Sequence, residues 1–258
     1  MATFENKDIA TTYGDILQCN NDGNGRTANG TNIQDGKGNN TCLTLGQNRL
    51  NIAPTTDDAV AFTVKNASGS TLIEVDSSDN EVKLGSSQSY ANTQIQRFVV
   101  VDGQPTADTH TSMMLDGVTS HLPITFGTGT DPATTYTLSS SEANASALTL
   151  SMWYIPVAIT IDEVRVIASG EASDSVNFHL FQYTLATGTG TGAGDLSSGT
   201  VVASTGSPLT IHNDRVTTTT LTKDDPTVDA NKVIIATFEN VGATTDVHAQ
   251  LIVKYHYQ

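Results

Sequence analysis

The sequence predicts an all-β protein: an N-terminal extended arm and a short β-meander stalk, followed by a C-terminal jelly-roll-like β-sandwich. Three observations point there. Apolar residues alternate over short stretches bounded by Gly, Asn, Asp and Ser, and no segment sustains a helical period. Apolar residues make up 37% and charged residues 15% of the 258, and Thr, Ser, Asn and Gly fill the difference, as in turn-rich β proteins. Eight apolar runs crowd into residues 147–258, which suits a sandwich.

Taken in order, residues 1–57 are rich in Asn and Gly and read as an attachment arm. Asp22-Gly23-Asn24-Gly25 and Asp35-Gly36-Lys37-Gly38 are turn signals, because glycine supplies the positive φ of tight hairpins. "TCLTLGQNRLNI", Thr41 to Ile52, is a hairpin with Leu43 and Leu45 on one arm, Leu50 and Ile52 on the other, and Gly46-Gln47-Asn48 at the bend.

Residues 58–85 contain a three-stranded meander: Phe62-Thr63-Val64, Leu72 to Val75, and Val82-Lys83-Leu84. Turns are expected at Asn66 to Gly69 and at Ser77 to Asn80. A sheet this small is marginal on its own. Phe62, Val64, Ile73, Val75, Val82 and Leu84 are therefore expected to be buried by other copies of the chain, through stacking or wrapping about an axis.

Residues 86–146 read as a mixed strand and linker region, with strands at "RFVVV" (Arg97 to Val101) and "LPITF" (Leu122 to Phe126). Residues 147–258 form the sandwich. Its expected strands are Thr149–Ile155, Ile159–Ala168, Ser175–Leu185, Thr200–Ala203, Pro208–His212, Val216–Thr222, Lys232–Glu239 and Val247–Tyr257. In the last, Val247, Ala249, Leu251, Val253, Tyr255 and Tyr257 share one face.

Composition also narrows the partners. The net charge is −15 with 12 Lys plus Arg, and no basic residue occurs between Arg97 and Arg165. Phosphate backbones are held by clustered cations, so nucleic acid is not expected as a partner. Nothing approaches the roughly 18 consecutive apolar residues of a membrane span, so no membrane insertion is expected. The opening "MATFENKDIATTYGD" lacks the basic and apolar regions of a signal peptide, which suggests synthesis and assembly in a cytoplasm. Cys19 and Cys42 do not make a disulfide framework and read as buried free thiols.

No constellation names a reaction. "NNDGNG" places Asn20, Asp22 and Asn24 as in a calcium loop, but Thr31 stands where the bidentate Glu belongs, so a turn is favoured. "TGTGTGAG", Thr187 to Gly194, lies between two expected strands, whereas a phosphate cradle needs a following helix. It reads as an exposed connection, and Thr187, Gly188, Gly190, Gly192 and Gly194 form a candidate partner-contact loop. The six histidines show no metal-ligand spacing. Trp153, Tyr154 and Pro156 form an aromatic cluster better suited to a core or subunit interface than to stacking on sugar. No catalytic residue, metal or cofactor is expected.

Several stretches taken together carry a resemblance: "TTYGDILQCNNDGNGR" with "IQDGKGNNTCLTLGQNRLNI", then "FTVKNASGSTLIEVDSSDNEVKLG" followed by "YANTQ", and finally "YIPVAITIDEVRVIAS", "DSVNFHLFQY", "VIIATF" and "VKYHY". They resemble virion structural proteins of tailed bacteriophages, the head fibres, capsid decoration proteins and small tail-fibre components. The resemblance implies a non-enzymatic homotrimer on the virion surface, assembled in the host bacterial cytoplasm. It implies an N-terminal arm that docks on capsid or tail proteins and a C-terminal domain that faces outward. The alternative within the same resemblance is a tail appendage whose C-terminal domain binds a host surface glycan.

Overall fold

A computed structural model describes residues 17–19, 27–28, 30–35, 37–85, 89–117, 122–138, 142–171 and 173–258. The secondary structure is nearly all antiparallel β, and the chain divides into two compact units, one running to Ala91 and the other from Asn92 to Gln258. Among the described residues no helix is long and apolar enough to cross a membrane.

The first unit holds two four-stranded sheets, each in sequence order. One contains β1 (Gln18–Cys19), β2 (Thr31–Gln34), β3 (Asn40–Leu45) and β4 (Leu50–Ile52). The expected hairpin is β3–β4: Leu43 pairs with Ile52 and Leu45 with Leu50, and Gly46 N–H donates to Arg49 O at 2.8 Å across the bend. The β2–β3 turn is held by Asp35, whose Oδ1 accepts from the backbone N–H groups of Lys37 and Asn39 at 2.9 and 2.8 Å. The Asn39 side chain, whose Nδ2 donates to Asp35 Oδ2 at 2.8 Å, leads these backbone bonds in lowering the Asp35 pKa. The turn expected at Asp22 to Gly25 and the calcium-like loop lie outside the described residues. Cys42 corrects an expectation. It is free but exposed, because strand alternation turns it away from the side of Leu43.

The second sheet contains β5 (Phe62–Lys65), β6 (Thr71–Asp76), β7 (Glu81–Leu84) and β8 (Ser89–Tyr90). It is the expected meander with one more short strand. Asn66 shapes the first turn, its Oδ1 accepting from the N–H groups of Ser68 and Ser70 at 3.0 and 2.9 Å. Local side-chain acceptors of this kind are why Asn and Asp mark turns.

The second unit begins earlier than expected. "RFVVV" belongs to a ten-residue strand, β9 (Gln94–Gly103), that pairs along the C-terminal strand. After β9 come β10 (Thr111–Ser112), β11 (Met114–Leu115), helix α1 (Glu142–Ser151), β12 (Trp153–Ile155), β13 (Ile159–Gly170), β14 (Asp174–Leu185) and β15 (Leu196–Ser204). The chain ends with β16 (Leu209–Ile211), β17 (Thr217–Thr220), β18 (Thr222–Lys223), β19 (Thr227–Val228), β20 (Lys232–Asn240) and β21 (Val247–Tyr257). Much of the supposed linker is thus structural. "LPITF" contributes a single bridge, Thr125 to Thr111.

These strands make a sandwich. One sheet runs β10-β20-β14-β15-β18, with β12 also on β20 and β16 on β14; the other runs β11-β9-β21-β13-β17, with β19 on β13. Long strands switch sheets in passing from β13 to β14 and from β20 to β21, as jelly-roll-like sandwiches do. Phe98, Ile161, Val164, Val166, Phe178, Leu180, Phe238, Leu251 and Val253 fill the space between them. The alternate residues Phe181, Tyr183, Val233 and Ile235 enter a second core with Ile124, Phe126 and Leu148. Strands β14 and β20 are therefore covered on both faces, which explains the unbroken apolar run "VIIA".

Helix α1 was not expected. Its covered stripe is Ala147, Leu148 and Ser151, with Ser151 Oγ donating back to Ala147 O at 2.8 Å. Two small residues around one leucine leave no visible apolar period. The strand expected at Thr149–Ile155 shrinks accordingly to β12.

Candidate functional site

The six residues expected to form an intermolecular core fall on one face of the β5–β8 sheet. Register makes two cross-strand rows: Phe62 opposite Val75 opposite Val82, and Val64 opposite Ile73 opposite Leu84. Phe62, Ile73, Val82 and Leu84 are 38, 37, 43 and 45% exposed, and Val64 and Val75 are half-buried. Six apolar side chains thus form one open patch.

The other face is polar. Thr63, Glu74 and Lys83 make one row there, and Asp76 pairs with Glu81 in the next. Asp76 Oδ1 accepts from Ser78 Oγ at 2.6 Å and from the N–H groups of Ser78 and Asp79 at 3.0 and 3.1 Å. Its Oδ2 lies 3.1 Å from Lys83 Nζ. The hydrogen bond from Ser78, supported by Lys83 and the turn amide of Asp79, holds the carboxyl at about 2 against the cost of burial. Asp76, Asp79 and Glu81 bring ligand oxygens within 4.8 Å of one another. The Lys83 ammonium, also 3.4 Å from Glu81 Oε2, pairs with two of the three carboxylates, so the group reads as a hydrogen-bonded, ion-paired turn.

The glycine-rich loop belongs to the second unit, where it joins β14 to β15. Ala186 N–H donates to Asp195 O and Gly194 N–H to Ala186 O, both at 2.8 Å. Asp195 Oδ1 accepts from Leu138 N–H at 2.8 Å, and a β-carbon on Gly194 would meet Leu138 Cδ1 at 2.5 Å. The loop is therefore anchored at its C-terminal end. Thr187 to Thr191 is exposed, and β-carbons on Gly188 and Gly190 would meet nothing within 4 Å.

The aromatic cluster divides. Trp153 packs at the edge of the sandwich core against Tyr255 and Phe98, with ring centroids 4.8 and 6.5 Å away. Tyr154 turns to the opposite side, where its hydroxyl donates to Asn231 Oδ1 at 2.7 Å. The two rings form no shared stacking platform.

A polar group that the sequence did not announce lies on the second core's side of β14 and β20. His110 and His179 meet edge-on with ring centroids 4.9 Å apart, and Glu239 Oε2 is 3.8 Å from His110 Nε2. The histidines are 69 positions apart, so spacing carried no signal. The only hint was an uncharged-looking His within the apolar run "NFHLF" of β14.

No family model matches the chain, and no curated protein matches it. The class that the fold defines is an all-β sandwich protein with a smaller two-sheet N-terminal unit. Among solved structures the chain is similar to one in the structure of infectious bursal disease virus Gx strain, at 9% identity and a TM-score of 0.25. The similarity covers 82% of this chain and 38% of that one, so this chain spans well under two thirds of its length. A likeness that low supports no functional transfer.

Proposed function

We propose that the chain is a non-enzymatic structural protein of a tailed-bacteriophage virion, and that it decorates the capsid surface or projects from it as a short trimeric fibre. The observation that carries this reading is the open apolar face formed by Phe62, Val64, Ile73, Val75, Val82 and Leu84. In the described part of the first unit only Ile33 joins the fully buried apolar residues, whereas the sandwich has many. A unit with so little core of its own gains stability by packing against neighbours.

Magnitudes favour a shared core over a casual contact. Completing the burial of each partly exposed side chain is worth on the order of 1 kcal/mol, while association costs about 4–15 kcal/mol. Six side chains alone are marginal, so exposed Leu50 and Val60 of the same unit are expected to contribute. The polar face, where Asp76 and Lys83 pair, takes no part in that shared core. The arm within residues 1–57 then docks on capsid or tail proteins, and the acidic surface repels nonspecific partners.

Sedimentation equilibrium of the full chain at micromolar concentration tests the core of the proposal. Three times the 27.1 kDa chain mass is expected, and a stable monomer overturns it. Imaging of the labelled protein on intact virions tests the location. The exposed Thr187–Thr191 segment favours a second reading, a tail appendage that recognises host glycan. Under that reading, deleting the segment leaves particle binding intact and abolishes host adsorption.

A further inference from the structure

Two buried histidines hold one end of a surface segment. His110, just before β10, and His179, in β14, are 0 and 4% exposed. His110 Nε2 lies 3.0 Å from Gly129 O, and His179 Nε2 lies 3.5 Å from Asp131 Oδ1. Both contacts reach the same segment, Gly127 to Thr135, which bends with positive φ at Gly127 and Gly129. The second nitrogen of each ring, Nδ1, is buried with no hydrogen-bond partner. In the neutral His110 tautomer Nε2–H donates to the Gly129 carbonyl, and Nδ1 is a bare acceptor. A proton added at either Nδ1 becomes a buried donor with nothing to receive it, beside a second imidazole at 4.9 Å.

The ionisable groups facing the pair are few. From β20 comes Glu239, held by Asn177 Nδ2 at 2.9 Å. From the segment itself comes Asp131, whose side chain is 55% exposed. On β15, Ser204 sits opposite His179 and its hydroxyl donates a hydrogen bond to Asp224 Oδ2 at 3.3 Å. A proton on His179 meets the second imidazole at close range and only a solvated carboxylate.

We infer that Gly127 to Pro132 is an acid-released strap, latched over the outer face of the β14–β20 sheet while His179 is neutral and freed when it is protonated. Its far end is fastened separately: Tyr183 Oη donates to Ala133 O at 2.8 Å and Gly199 N–H to Thr134 O at 2.8 Å. Those bonds make a hinge about which the histidine end swings. Burial, then the neighbouring His110 charge, push His179 down to about 4 from 6.5, with Asp131 partly opposing them. In the released strap the ring returns to the ordinary value. The latched state is therefore fully favoured above about pH 6.5 and loses ground as pH falls toward 4, by up to about tenfold per unit per proton.

Hydrogen exchange on the full chain at pH 7 and pH 4.5, corrected for intrinsic rates, reads the latch. The reporters are the amides of His110, Phe126 and Ala133, which donate to Gly127 O, His110 O and Phe126 O. They are expected to lose protection on the order of a hundredfold while amides of β13 and β21 hold theirs. His179→Gln is expected to abolish the pH dependence of the reporters. Reporters that follow β13 and β21 at both pH values, or that keep their pH dependence in His179→Gln, overturn the inference. Should that variant fail to fold, NMR titration of the wild-type imidazole decides. A His179 midpoint far below 6.5 that coincides with movement of the 127–132 resonances supports the latch, and an ordinary midpoint sinks it.

Discussion

Phe62 and Val75 face each other across β5 and β6 on the open side of the meander, with Val82 completing the row. Ile73 lies in the adjacent row between Val64 and Leu84, at the centre of the patch. Ile73→Asp places a charge where the proposed trimer has its dry core, and burying an unpaired carboxylate costs far more than one side chain's burial returns. The variant is expected to sediment as a monomer. The thermal transition of the sandwich should not move, because Ile73 belongs to the other unit. A trimer that survives the substitution would show that this face is not the one that closes.

Within the sandwich, Phe178 pairs with Phe238, and both are fully buried in the inter-sheet core. Phe238→Ala leaves a ring-sized void between rigid strands. A loss of about 3–5 kcal/mol is expected, read as a lowered urea midpoint with an unchanged denaturant slope. A cost below about 1 kcal/mol would mean that the two sheets collapse onto the gap.

Strands with one covered face were legible in the sequence. β21 reads Val247, Ala249, Leu251, Val253 inward as alternation demands, and the β3–β4 hairpin followed from its bend residues. Strand existence survived even where both faces are covered, as in β20, but the reason for the double covering was hidden. The second layer is made by α1, whose stripe of Ala147, Leu148 and Ser151 has no apolar period, and by irregular chain around Ile124 and Phe126. His110 and Glu239 meet His179 through the β10-β20-β14 strand order, between strands far apart in sequence, so their meeting had no local signature. The meander face was the opposite case: its residues and its exposure both follow from a period of two in strands too short to enclose anything.

Asp76 gives the first unit an acid-sensitive turn. Its folded carboxyl titrates at about 2, below its ordinary 3.8, chiefly through the Ser78 hydroxyl and with help from Lys83. A depressed carboxylate contributes stability that is complete above the ordinary value and disappears as pH falls through the folded one. Carboxyl NMR should place the Asp76 midpoint near 2. Asp76→Ala should remove that titration and expose the amides of Ser78 and Asp79 to exchange. A midpoint near 4 would show that Ser78 and Lys83 do not hold the charge.

Gly199 marks the place where strand, strap and rings are packed too closely for a side chain. A β-carbon there would lie 2.6 Å from Phe181 Cε1, 2.6 Å from Tyr183 Cε1 and 2.9 Å from Thr134 Cα. The rings cannot simply swing aside, since Tyr183 is tied to Ala133 and Phe181 is buried in the second core. Moving Thr134 instead breaks the bond from Gly199 N–H. Gly199→Ala is therefore expected to cost about 1–3 kcal/mol as an overpacked site, a fall in Tm of about 2–4 °C for each kcal/mol in a domain of this size. Gly190→Ala, with open space around its β-carbon, is expected to leave Tm unchanged. Equal melting of the two variants would mean that the 133–136 end of the strap yields freely, and that the histidine end is not its only point of release.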